Sequence, residues 1–185
     1  MGFGVGLGVT STPISYKLAF GTYEDALRMV GMASEPRVAG TVVSAARIQM
    51  FAATVQDGNP SYWDADFATK TWGGLLAPPA LLMGWLVPLP WEPGGRPPVA
   101  AIALRVPLPG TTIVNAANDA EFPLPILDGD RLTIVEQVVS VSPEKQSKRG
   151  VGHFIETVDT FARQDGAVVA TNRNTLFRFT PAAAA

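Results

Sequence analysis

Residues 52–68 read AATVQDGNPSYWDADFA, a helix running into a loop and out into a second helix. In the run that leads into it, residues 42–56 (VVSAARIQMFAATVQ), Ile48, Phe51, Ala52 and Val55 fall at i, i+3, i+4 and i+7. That spacing puts one apolar stripe on a helix, and Ser44 stands where a capping hydroxyl is useful. The helix must stop at Asp57-Gly58-Asn59-Pro60, four loop-forming residues in succession. A second short helix is expected over residues 64–70. The loop between them carries Asp57, Asn59 and Tyr62.

Working outward toward the N-terminus, residues 1–16 read as a flexible arm, and residues 23–32 (YEDALRMVGM) as a helix capped by Thr22 with acids in its first turn. On the other side, residues 75–86 (LLAPPALLMGWL) are apolar nearly all round. Proline is tolerated in a first turn, where its missing N–H costs little, so a buried helix is expected from about Pro79 to Leu86, inside the curve of a sheet. Residues 88–98 form a proline- and glycine-rich loop.

The second half changes character. Residues 111–122 alternate loosely; residues 131–142, 153–163 and 168–179 are rich in β-branched and aromatic residues, as strands are. Asp128-Gly129 and Gln164-Asp165-Gly166 mark turns, and residues 142–152 read as a polar, basic loop. Helices first and strands afterwards predict an α+β fold with an antiparallel sheet. One domain over residues 17–181 with a short tail, 182–185, suffices for a chain of 185 residues.

Composition excludes several functions. The net charge is −2, from 14 basic and 16 acidic residues, with no basic footprint for nucleic acid. The chain has no cysteine and one histidine, so it holds no disulfide, thiolate nucleophile or multi-histidine metal site of its own. Lack of cysteine suits a reducing cytoplasm. The N-terminus lacks a basic n-region, and prolines interrupt the longest apolar run, so neither a signal peptide nor a membrane span is expected. Charged residues make up only 16%, below the usual quarter or so, which hints that part of the surface meets another subunit.

The stretch 52–68 resembles the signature of MaoC-like and (R)-specific enoyl-CoA hydratases. There, a helix ends in Asp-x-Asn-Pro-x-His, followed by an Asp and a Phe-Ala pair. Asp57, Asn59, Pro60, Asp64, Phe67 and Ala68 occupy the matching places. Leu127-Asp128-Gly129-Asp130, residues 150–154 (GVGHF) and residues 164–170 (QDGAVVA) are similar to later pieces of the N-terminal-type MaoC domains. The resemblance implies a hot-dog fold, with an antiparallel sheet wrapped around a central helix. It also implies hydration of an α,β-unsaturated acyl-CoA, with coenzyme A thioester as substrate and no other cofactor.

Such hydration needs a base for water, an acid for the α-carbon and a donor for the enolate oxygen. In the family, the motif's Asp and His handle water and proton, and a backbone N–H after a later His-Gly pair serves the oxyanion. This chain departs at two points. Tyr62 stands at the His position, and a phenol with a pKa of about 10 accepts protons poorly at neutral pH. Pro79 aligns with the oxyanion glycine and has no N–H to give; losing one such donor costs a factor of about 100–1000 in rate.

The resemblance thus points to the non-catalytic half of a split hydratase of the steroid type. Its partner would be a catalytic hot-dog subunit carrying Asp-x-Asn-Pro-x-His, in a hetero-oligomer that takes a bulky acyl-CoA. Two other readings stand beside it: a self-sufficient homo-oligomeric hydratase using Asp57 as base with Tyr62 as donor, and a non-enzymatic acyl-thioester binding protein. Each residue also has a structural reading. Asp57 reads equally as the cap of its turn, Tyr62 as an interface contact, and His153 as a structural or surface histidine. Trp63, Trp72, Leu75, Met83 and Trp85 line an acyl pocket or merely pack. Lys145, Lys148 and Arg149 meet coenzyme A phosphates or form a solvated loop, and Arg96 and Arg105 are open to either role.

Overall fold

A computed structural model describes residues 17–89, 91, 93, 95 and 101–182. The expected arm, most of the tail and parts of the 88–98 loop lie outside the described residues. Ala182 does not fray, because its N–H donates to the Arg149 carbonyl at 3.1 Å.

Among the described residues, α1 (Tyr23–Leu27), β1 (Arg37–Val38), α2 (Ala45–Thr54), α3 (Pro60–Trp63) and α4 (Ala65–Trp72) come first. Two 3₁₀ helices, Pro79–Leu86 and Ile102–Arg105, follow. The strands are β2 (Thr112–Glu121), β3 (Thr133–Val141), β4 (Lys145–Ser147), β5 (Gly150–Ala162) and β6 (Val168–Pro181). They form one antiparallel sheet in the order β1-β3-β5-β6-β2, with β4 also paired to β5. The expected α+β order, helices then strands, is what the chain adopts.

Several boundaries differ from expectation for identifiable reasons. The first helix ends at Leu27 because its continuation is taken over by the sheet: Gly31, at φ 87°, donates to the Val138 carbonyl and Ser34 to that of Glu136. Helix α2 is two to three residues shorter at each end than expected, and Val55 lies outside it, exposed, so the core face is Ile48 and Ala52 with Phe51 at its edge. The polar 142–152 segment is not a loop. It folds into β4 and the start of β5, since Lys145, Gln146 and Ser147 pair with Gly152, Val151 and Gly150. Only glycine fits at Gly152, where an added Cβ would lie 2.0 Å from the Arg178 carbonyl oxygen.

The segment expected as an α-helix apolar all round is a 3₁₀ helix, buried on one side only. Three residues per turn align Leu82 with Trp85, and these join Leu81 in the core, whereas Pro79 and Ala80 face outward. Arg47 of α2 ties the two elements together. Its guanidinium donates to Thr41 Oγ1 (2.7 Å) and the Gly84 carbonyl (2.6 Å) and lies 4.5 Å over the Trp85 ring.

Alternation along β5 turns His153, Ile155, Thr157, Asp159 and Phe161 to the covered face and Phe154, Glu156 and Val158 to the other. The covered face holds two apolar clusters. One joins Ile48, Ala52, Tyr62, Leu82 and Trp85 to Leu132, Ile134, Phe161 and Ala170; the other joins Ala26, Ile102, Val106 and Leu108 to Val138 and Ile155. Glu136, Asp159, Asn172 and Asn174, all buried, lie between them.

Candidate active site

The Asp57 loop is built from caps. Val55 ends α2, and Gln56 takes a left-handed conformation (φ 56°), uncommon outside glycine, that turns the chain outward. Asp57 Oδ1 then accepts the Asn59 N–H at 3.0 Å, Asn59 Oδ1 accepts the Ser61 N–H to start α3 with Pro60 in its first turn, and Asp64 caps α4 through the Phe67 N–H. Each residue is there because short polar side chains satisfy helix-end amides. The loop is held from below by the Leu127-Asp128-Gly129-Asp130 turn. Asp128 Oδ1 accepts the Ala45 N–H that opens α2 (2.8 Å), and Asp130 accepts from Leu127 N–H and from Gln164 Nε2.

Asp57 is exposed, but its near neighbour Tyr62 is 5% exposed and packs in the core. The alternative of Tyr62 as an interface contact is thereby corrected: α3 is one turn long, and its inward side carries Ser61 and Tyr62. Burial first, and then the charge of Asp57, raise the phenol above its ordinary value, with the Asn59 side chain acting the other way. Tyr62 therefore stays protonated at neutral pH and cannot serve as a base.

Pro79 opens the 3₁₀ helix directly after Pro78. Leu81 N–H returns to the Pro78 carbonyl at 2.9 Å, and the N–H of Ala80 is the first after two residues that have none. His153 does not reach the Asp57 loop. It is buried near the other end of β5, its Nδ1–H donates to the Ser142 carbonyl at 2.9 Å, and its ring stacks on Tyr23 with centroids 5.2 Å apart. From His153 to Phe161, which marks the Asp57 end, the strand spans roughly 26 Å. The structural alternative for His153 is the one the geometry matches, in the core and not on the surface.

The five residues expected around an acyl group are dispersed. Trp85 is sealed in the core; Leu75 and Met83 are partly buried. Trp63 and Trp72 are 44% and 42% exposed, and their indole N–H groups are used locally, on the Asp57 carbonyl and on Ser61 Oγ. Lys145, Lys148 and Arg149 are exposed at the β4–β5 turn, at the opposite end of the sheet from Asp57. Arg105, also exposed, ends the second 3₁₀ helix, and Arg96 lies outside the described residues.

Sequence reasoning missed the buried polar layer. Glu136 and Asp159 stand directly opposite each other on β3 and β5, and Asp159 stands opposite Asn172 on β6. Asp159 Oδ2 accepts from Asn172 (3.2 Å) and Asn174 (2.6 Å), while Oδ1 has no partner. Glu136 accepts the Ile102 N–H at 2.9 Å and faces Arg37 at 3.7 Å. Burial raises the pKa of both acids. The Ile102 N–H and Arg37 offset part of this for Glu136, which Asp159 raises further; the two asparagines and Arg37 offset part of it for Asp159. The signal was present in the strand periodicity: both acids and both asparagines occupy inward positions among valines and isoleucines.

This arrangement, an antiparallel sheet closed over helical segments with an Asp-x-Asn-Pro loop at one end, has a family. A model described as "FAS1-like, dehydratase domain region" matches residues 28–172, and the chain belongs to that family, with the hot-dog fold of MaoC-like dehydratases. A protein of Thermomonospora curvata described as "Probable enoyl-CoA hydratase alpha subunit" is 33% identical over 156 residues, a match covering 80% of this chain and 48% of that protein. The chain thus spans about half the length of this curated relative. Among solved structures, a chain of the ChsH1–ChsH2 complex from Mycobacterium tuberculosis superposes with a TM-score of 0.70 at 24% identity, covering 87% of this chain and 93% of that one. A MaoC-like dehydratase superposes with a TM-score of 0.58 at 23% identity over 84% of this chain and 43% of that one. At these identities the structural likeness carries the fold. Among the described residues no helix is long and apolar enough to cross a membrane.

Proposed function

We propose that this chain is the half of an enoyl-CoA hydratase that lacks the full catalytic set. It works in the cytoplasm beside a catalytic hot-dog subunit carrying Asp-x-Asn-Pro-x-His, on a bulky acyl-CoA such as a sterol side chain or a long chain. The reaction adds water across the α,β double bond, with hydroxide to the β-carbon and a proton to the α-carbon. The observation that carries the reading is the state of the Asp57 loop. Its carboxylate accepts a loop amide, the aromatic ring at the imidazole position is packed into the core, and the sole histidine of the chain is spent on a carbonyl at the far end of β5. Without an imidazole, proton transfer to and from water loses a factor of about 100 or more. Support for a paired role comes from the relative described as an alpha subunit and from the fold shared with a chain of a two-protein complex.

The test is enzymatic. The purified chain alone should hydrate enoyl-CoA substrates negligibly, and adding a catalytic MaoC-like subunit should yield a stable complex that hydrates a bulky enoyl-CoA. Strong turnover by the lone chain, abolished in Asp57→Asn, would replace this reading with the self-sufficient one. Failure to bind any catalytic hot-dog subunit while still binding acyl-CoA would favour a non-enzymatic binding protein.

A further inference from the structure

In the polar layer between the apolar clusters, two carboxyl groups face one cation. Glu136 and Asp159 are direct partners across β3 and β5 and are 7% and 1% exposed. Directly opposed residues of an antiparallel pair have Cβ atoms about 4.5–5.5 Å apart, so the two acids share one small space. The cation is Arg37 of β1, whose Nη2 lies 3.7 Å from Glu136 Oε1. Strand β6 adds only neutral groups: Asn172 and Asn174 both donate to Asp159 Oδ2, and Oδ1 has no partner. Other charged or titratable groups on the surrounding elements, among the described residues, are exposed, occupied or distant. Glu35, Arg105 and Arg173 are exposed, and Asp25 of α1 is taken up by Thr22 and Arg28. His153 and Arg178, paired across β5 and β6, lie about 20 Å along the strands from Asp159.

The same groups hold the segments that cover the sheet. Glu136 Oε2 accepts the Ile102 N–H that opens the second 3₁₀ helix at 2.9 Å, and Arg37 donates to the carbonyl of Leu86, which ends the first, at 3.3 Å. The Leu104 carbonyl in turn accepts the Ala19 N–H at 2.9 Å. Ionising both acids would set two negative charges beside one guanidinium in a low-dielectric interior, and like charges in one buried site do not both form at neutral pH. Burial pushes both carboxyls up, and Asp159 raises Glu136 further.

We propose that Glu136 and Asp159 hold a single proton between them at neutral pH, and that this shared proton keeps the second 3₁₀ helix fastened to the sheet. With the proton in place, the layer carries one negative charge against Arg37. When it leaves, the two carboxylates repel and Glu136 withdraws from the Ile102 N–H. The device does not depend on the subunit reading, because a lone, inactive chain carries it as well.

Infrared spectroscopy of the full chain tests this by detecting protonated carboxyl groups. The wild-type chain at neutral pH should show such a band. Glu136→Gln and Asp159→Asn should each lose it, because the carboxylate left behind faces Arg37 without a rival. Glu156→Gln, on the other face of the sheet, should keep it. Raising the pH until the band disappears should speed hydrogen exchange at Ile102 at least about tenfold beyond the base-catalysed rise at reference amides of β5 and β6, and Asp159→Asn should abolish this extra step. The wild-type measurements decide the matter even if a variant fails to fold. The proposal is overturned by the lack of a protonated carboxyl in the wild-type chain, by a band that survives in either single variant or is lost in Glu156→Gln, or by exchange at Ile102 that merely tracks the reference amides.

Discussion

Asp57 and Asp159 each have asparagines for neighbours, and there the likeness stops. Asp57 sits in solvent at the end of a helix, where its carboxylate accepts one loop amide. Asp159 is 1% exposed, opposite a second buried acid, with two asparagine donors on one oxygen and none on the other. The acid that a motif picks out has the ordinary environment of a turn residue. The acid that no motif marks lies in the interior, where burial pushes its carboxyl up and the two asparagines and Arg37 offset part of the rise. In this family member, the local sequence motif and the buried acids lie in different parts of the chain.

The comparison can be broken most severely from the buried side. Asn174→Leu removes the shorter of the two bonds to Asp159 and should destabilise the fold by about 2–3 kcal/mol, since an acid left short of donors in the interior is costly. A drop in melting temperature of roughly 5–10 °C would register it, and no change would mean that Asp159 is neutral or solvated. On the exposed side, Asp128→Ala deletes the tertiary cap on Ala45 that holds α2 beneath the Asp57 loop, at a cost of about 1 kcal/mol, measurable by urea titration. Gln56→Gly should move stability the other way, by about 0.5–1 kcal/mol, by relieving a left-handed residue; a loss would show that the Gln56 side chain holds the loop. Smallest of all, Asp57→Asn keeps the acceptor for Asn59 N–H and should shift stability by under about 0.5 kcal/mol. It should also leave the turnover of a reconstituted hetero-complex unchanged, and a fall of a hundredfold there would assign Asp57 a chemical role.

A pH series sharpens the same contrast. Glu136 and Asp159 have pKa values raised on folding, so the folded chain binds their protons more tightly than the unfolded chain. Their stabilising contribution is complete below the ordinary carboxylate range of the unfolded state and is lost as pH rises through the raised folded values. Asp25 and Asp165, held low chiefly by the Thr22 N–H and by Arg163 respectively, act in the opposite sense, losing their contribution as pH falls through their lowered values. Stability measured from about pH 4 upward should therefore decline less in Asp159→Asn than in the wild-type chain. Parallel profiles would remove the buried layer as the source of the slope.

Much of this was legible beforehand because it depends on near neighbours in the chain. The stop at Asp57-Gly58-Asn59-Pro60, the start at Asp64 and the hairpin at Asp165-Gly166 are written in residues a few positions apart, whose side chains satisfy one another's amides whatever the rest does. The expectation of an α-helix over Pro79–Leu86 fails because two prolines and an apolar run allow either an α or a 3₁₀ form. Strand β4 is not legible in the sequence because its polar side chains say nothing of the backbone pairing that β5 offers.

From its order of residues alone, the chain determined an α+β fold and the capped Asp57 loop, with a phenol at Tyr62 and no backbone N–H at Pro78 or Pro79. Only the tertiary structure decided that Tyr62 lies in the core, that His153 is tied to Ser142 at the other end of the sheet, and that Glu136 and Asp159 face each other under cover. The physical reason is range. Caps, turns and missing donors are set by neighbouring bonds, whereas burial and charge coupling arise between residues that meet only when distant strands pair.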